Sequence, residues 1–252
     1  MKKRTLFVAA AALLAFGLPA LAQKNPTVAS ITVWKTQPGA GAAFAEGRKK
    51  HMDFHRQQKD AWGWHTWEII AGEREGQFLT GTFGHYWKDF DGREAFDALD
   101  GADSAKNLMP HVASAETSYW AYLTDSSRPP AADAAPPAFL QIAHYYVNVA
   151  DTPRFEDALE EVKAALDKVE WPVHSRWYRL ISGGRGPQYV LSTGRANWAA
   201  FAPPEKTLLE GLTEAVGARR ATELLDAVRE STKYIETEIF AYRADLSYEP
   251  AK

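Results

Sequence analysis

The chain has 252 residues, with 29 Lys and Arg against 32 Asp and Glu, a formal charge of −3 and no cysteine. Without cysteine it carries neither a disulfide framework nor a lipidated N-terminal cysteine, so stability has to come from packing. The acidic balance argues against nucleic acid as a partner, because phosphate binding relies on clustered Lys and Arg, while nine Trp, ten Tyr and twelve Phe supply apolar bulk for cores and pockets.

At the N-terminus, Lys2, Lys3 and Arg4 precede an apolar run from Leu6 to Leu18 and the triplet Ala20-Leu21-Ala22. This is the pattern of a cleavable secretory signal over residues 1–22. Cleavage before Gln23 would remove three basic residues and carry the formal charge from −3 to −6. The run is too short to span a bilayer, and no later segment approaches the roughly 20 apolar residues a membrane helix needs. The expectation is an exported protein, periplasmic or secreted, without a membrane span.

Residues 31–90 then align without a gap onto residues 142–201, at an offset of 111. Nine positions are identical, among them Ile70/Ile181, Gly72/Gly183, Arg74/Arg185, Gln77/Gln188, Thr82/Thr193, Trp87/Trp198 and Phe90/Phe201. Each half is therefore one folding unit, expected over 23–125 and 139–248, with a Pro/Ala-rich linker at 126–138. Each unit opens with an alternating strand, Ser30 to Thr36 or Leu140 to Val149, followed by a turn and a helix. Thr152 before Pro153 predicts the N-cap of the second of these helices. Two strands come next, around Trp64 to Ala71 and Gln77 to Phe83 in the first unit, joined by a Gly-bearing hairpin that recurs at Gly183 to Pro187. Because both hairpins keep Arg74/Arg185 and Gln77/Gln188, these residues read as hairpin structure. Trp87/Trp198 and Phe90/Phe201 read as a repeated core anchor for a second helix. The last strands repeat at offset 120, from Glu116/Glu236 to Asp125/Asp245, which places nine extra residues in the second helical region of the C-terminal unit.

The order β-α-β-β-α-β is the ferredoxin-like split unit. On element order, unit length and the strand-helix-hairpin pattern, nearly the whole mature chain resembles the dimeric α+β barrel superfamily. That superfamily includes the antibiotic-biosynthesis-monooxygenase-like, NIPSNAP-like and muconolactone-isomerase-like families. The resemblance implies an α+β fold in which two antiparallel sheets pair, here within one chain, into a barrel. It also implies small aromatic, polycyclic or haem-like ligands in a pocket between sheet and helices. No catalytic motif of a named family transfers residue by residue.

The two halves differ in one informative place. The first helix of the C-terminal unit carries an apolar stripe, Phe155, Leu159, Val162, Leu166 and Val169, whereas the N-terminal helix has Phe44, Arg48, His51, His55 and Gln58 at the same positions. Burying such polar groups unpaired would cost several kcal/mol. Either that face borders a polar cavity, or the helix rotates to bury Ala45, Met52 and Phe54. The first alternative predicts a site of Arg48, His51 and His55 walled by Trp34, Trp64, Trp67 and Trp87. His51 and His55, four apart, have a spacing that can chelate zinc or copper. Either could also be an axial haem ligand with Arg48 on a propionate, or a general base. His144 replaces Val33 and reads as a satisfied core histidine.

Three functions follow. One is a binding barrel for a small hydrophobic, aromatic or haem-like ligand in the N-terminal unit. Another is a cofactor-poor monooxygenase or isomerase using His51 or His55 on an aromatic substrate. The third is an assembly module that pairs with further copies of the chain. No Gly-rich phosphate loop or nucleophile elbow is present.

Overall fold

The computed structural model describes residues 26–132 and 134–250. The expected signal segment at 1–22 lies outside the described residues. In the N-terminal half, β1 (Val28–Thr36), α1 (Gly41–Gln58), β2 (His65–Ala71), β3 (Phe78–His85), a single helical turn α2 (Trp87–Asp91), α3 (Glu94–Asn107) and β4 (Val112–Tyr122) follow one another. The C-terminal half repeats the order with β5 (Phe139–Val147), α4 (Thr152–Lys168), β6 (Ser175–Ser182), β7 (Gln188–Arg195), α5 (Leu208–Val216), α6 (Ala218–Ser231) and β8 (Thr232–Tyr242). The additional helix α5 occupies the stretch that the change of offset marks as inserted. Thr152 is the first residue of α4 rather than its cap: Asp151 holds the cap position, and the Thr152 hydroxyl donates to Asn148 O.

All pairings are antiparallel, and the strand order is a closed ring, β1-β3-β2-β8-β5-β7-β6-β4. Within it each half keeps four contiguous strands, and the two four-stranded sheets join by their edges, β2 to β8 and β4 to β6. Closure removes every free sheet edge that would otherwise template aggregation. Alternation along the strands then sorts the side chains into two environments. Trp67, Ile69, Leu79, Ile142 and Phe240, with Ile31, Val33, Phe83, Leu140 and Val190 against them, come from both halves and fill the barrel interior. Residues of the opposite parity meet the helices: Phe78 packs with Phe44 under α1, and Tyr189 and Trp177 pack with Phe155 under α4.

Each half also straps the other. After β8 the chain returns to the N-terminal half, where Tyr248 bridges Trp64 and Leu246 sits in the core beside Phe44. After β4 the chain does the same for the C-terminal half, with Arg128 bridging Ser175. Trp87 and Trp198 are not core anchors. They are 49% and 60% exposed, packed only along one face on Phe90 and Tyr119 or on Phe139 and Phe201, because the turns that carry them sit at the rim rather than under a helix. His144 is satisfied as expected, between Glu238 at 3.0 Å and Gln188 at 3.1 Å, with the hairpin residue Arg74 donating to the same carboxylate.

Candidate metal centre

Of the four polar residues on the α1 face, Gln58 is exposed and the other three are buried, with both imidazoles paired to carboxylates. Arg48, His51 and His55 are 2%, 3% and 1% exposed. Neither a rotated helix nor a wet cavity accounts for this, since Ala45 and Met52 are buried alongside them. What compensates these groups is a set of carboxylates from two other places. Asp60 follows the end of α1, where Lys59 adopts a left-handed conformation (φ 54°) and turns the chain so that the Asp60 amide donates back to His55 O. Asp100 and Asp103 stand one turn apart on α3. That helix approaches α1 closely across Gly47, where a Cβ would lie 1.9 Å from Asn107 O.

His51 Nδ1 lies 2.7 Å from Asp103 Oδ2, and His55 Nδ1 lies 2.9 Å from Asp60 Oδ2. A carboxylate only accepts, so both Nδ1 atoms carry the hydrogen and donate it. In the neutral imidazoles both Nε2 atoms then keep their lone pairs, and they face one another at 3.3 Å. Asp100 Oδ1 is 3.3 Å from His51 Nε2 and 3.1 Å from His55 Nε2, and it makes no aligned hydrogen bond. Three electron-pair donors therefore converge on one point. A tetrahedral ion with bonds of about 2.0–2.1 Å needs its donors about 3.3–3.4 Å apart, and an octahedral face with similar bonds needs about 3.0 Å. The triangle of 3.1, 3.3 and 3.3 Å fits between these limits. The Nδ1-to-carboxylate bonds are the outer contacts that orient metal-bound histidines and raise their basicity.

The electrostatics agree. Burial, with the Arg48 charge nearby, lowers the pKa of His51 to about 4, so this imidazole is neutral and ready to ligate at pH 7. Burial also disfavours the His55 imidazolium, but Asp100 and Asp60 outweigh it and raise the pKa, which makes a proton the natural competitor of a metal ion there. Asp100 stays ionised, because the neighbouring His55, His51 and Arg48 more than offset its own burial. Asp60 accepts five hydrogen bonds, from His55, Trp64 Nε1, the Trp62 amide and two nitrogens of Arg93. The Arg93 guanidinium in turn stacks on Trp62 and Phe96.

The aromatic surroundings differ from those expected. Trp64 does stand against His55, at 5.4 Å between ring centroids. Its companions are Tyr248, Phe96 and Phe54. Trp34 packs on Phe44 and donates to Thr80, Trp67 is in the barrel interior, and Trp87 is at the rim. A haem does not fit at His51 or His55, because each Nε2 already faces the other imidazole and Asp100, leaving no slot for a macrocycle. A separate recess of about 240 Å³ is lined by Phe83, Tyr122, Arg176 and Tyr178 among others, and neither His51 nor His55 borders it.

Two signals for the missing carboxylates were present in the chain. Asp60 aligns at offset 111 with Trp171, which is core in the C-terminal half. Asp97, Asp100 and Asp103 form an acidic row at helical spacing.

No family model and no curated protein matches the sequence. Solved structures do match the fold. A provisionally named monooxygenase from Lactobacillus acidophilus NCFM superposes with a TM-score of 0.57 over 90% of this chain and 97% of its own, at 10% identity. An anthrone oxidase-like protein gives 0.53 at 10% identity over 91% and 95%. A chlorite dismutase variant from Candidatus Nitrospira defluvii gives 0.54 at 8% identity over 88% and 93%. The chain therefore shares the α+β barrel fold of these proteins, with both halves of the barrel supplied by one polypeptide.

Proposed function

We propose that the N-terminal half binds one divalent first-row transition metal ion through His51, His55 and Asp100, and that the ion's open coordination is where this protein meets its small-molecule ligand. The observation that carries this reading is the convergence of three lone-pair donors, two of them imidazoles whose Nδ1 atoms are already committed to carboxylates, at the spacing of a coordination face. Three protein ligands with a vacant position are the arrangement of reactive rather than purely structural metal sites. The C-terminal half, with aliphatic side chains at the corresponding positions, supports the barrel.

A monooxygenase reading is favoured by the donor set itself. Two histidines and one carboxylate are the facial set used by non-haem iron oxygenases, and the names of the structural neighbours are those of redox proteins. In that reading His51 and His55 are metal ligands, not free general bases. Export through residues 1–22 belongs to the same proposal, since such a site would then load outside the cytoplasm.

Cobalt(II) titration of chelator-treated protein tests it. One equivalent should bind and produce visible ligand-field bands, and His51→Ala, His55→Ala and Asp100→Ala should each abolish them. Folded wild-type protein that takes up no cobalt, zinc or iron would sink the proposal.

A further inference from the structure

Among the described residues, three buried side-chain polar atoms lack a hydrogen-bond partner, and two of them, Arg48 Nη2 and Asp100 Oδ1, belong to this one cluster. They carry opposite charges yet do not satisfy each other. A metal ion accounts for the Asp100 atom. It does not account for the Arg48 atom, because a cation beside a guanidinium adds repulsion and accepts no hydrogen bond.

Arg48 is held in place regardless. Its Nε donates to Thr66 Oγ1 at 3.3 Å, and that hydroxyl donates to Leu246 O at 2.7 Å, so the strap from the C-terminal half fixes the side chain while Nη2 stays unpaired. The C-terminal half has Leu159 in the same position and therefore no need of a partner there.

Leaving a buried guanidinium nitrogen without an acceptor is costly. We infer that the site takes a small oxyanion of the carboxylate type as co-ligand, one oxygen on the metal ion and another accepting from Arg48 Nη2. Entry is from the α3 side, where the side chains of Asp100 and Asp103 are 27% and 20% exposed while those of the imidazoles are at most 4%. Phe54 and Phe96 pack against one another beside the imidazoles.

The inference rests on the metal reading, and one experiment separates the two. Full-length protein loaded with one equivalent of cobalt(II) is titrated with formate and followed in the visible bands. Saturable, one-to-one band shifts are expected. In Arg48→Leu, which installs the residue of the sister helix, cobalt still meets its three donors, but formate affinity should fall about 10- to 100-fold, the scale of one charge-assisted hydrogen bond in a buried site. Arg48→Lys should recover part of the loss. Equal formate affinity in wild type and Arg48→Leu, or cobalt uptake without any formate response, overturns the anion site alone. Absence of cobalt uptake overturns the metal reading and the anion with it. The wild-type titration decides the point even where Arg48→Leu does not fold.

Discussion

Removing the Asp60 carboxylate should be among the most damaging single changes in the chain. Asp60 is 3% exposed and gathers hydrogen bonds of 2.8 to 3.2 Å from His55, Trp62, Trp64 and Arg93. Asp60→Ala strands a buried imidazole, an indole N–H and a guanidinium at once. Breaking a buried pair from one side costs about 3–5 kcal/mol. The side chain of Arg93 keeps 11% exposure and its stacking on Trp62 and Phe96, so it can be partly resolvated, which favours about 3 kcal/mol. For a protein of this size that corresponds to a fall in Tm of about 6–12 °C. Urea unfolding followed by tryptophan fluorescence, with thermal melts by circular dichroism, measures both quantities. The pH dependence gives an independent check. Burial alone would raise the Asp60 pKa, but the bonds from His55, Arg93, Trp64 and the Trp62 amide hold it well below its ordinary value. A depressed carboxylate stabilises the fold above the unfolded pKa of about 3.8 and loses that contribution as pH falls through the folded pKa. The gap between wild type and Asp60→Ala should therefore be full at pH 6 and close in strong acid. A loss below about 1 kcal/mol at pH 7, the worth of an exposed pair, would refute the reasoning.

Two further outcomes follow from the same geometry. Gly47→Ala places a Cβ 1.9 Å from Asn107 O. It should force α3 away from α1, cost about 1–3 kcal/mol by overpacking, and weaken cobalt binding, although the substitution touches no ligand; unchanged affinity would mean that α3 does not position Asp100. Metal affinity should also fall on acidification, by about tenfold per pH unit below the raised pKa of His55 and with a slope of one proton. His51, with a pKa of about 4, adds a second proton only in stronger acid. Isothermal titration in buffers of different ionisation enthalpy counts these protons, and a slope of two between pH 7 and pH 5 would contradict the assignment.

Much of the architecture was legible because it is local and repeated. Strand alternation, the paired hairpins and the offset of 111 specify two β-α-β-β-α-β units, and the shift to 120 marks the insertion that becomes α5. The α1 face was legible too, since the sister helix showed what an ordinary core face looks like there. Its meaning was not. Arg48, His51 and His55 suggested a cavity because their counter-charges are out of helical register: Asp60 lies beyond a left-handed turn, and Asp100 and Asp103 lie on a helix whose docking depends on Gly47. The rim positions of Trp87 and Trp198 were misread for a related reason, because repetition shows that a residue suits the fold without showing which side of it the residue occupies.

The amino-acid sequence by itself determined the two copies, their element order and the one helix face that had exchanged aliphatic for basic and imidazole side chains, all of which are encoded within a few turns of chain. Only the tertiary structure decided that the sheets join edge to edge into one ring, and that three carboxylates meet that face from α3 and from the turn after α1. It also decided that the strap after β8 closes over the face and fixes Arg48. The His51–Asp103 pairing across 52 residues, and the strap's hydrogen bonds across 180 and 188, are set by how helices and returning segments pack, and no periodicity along the chain records them.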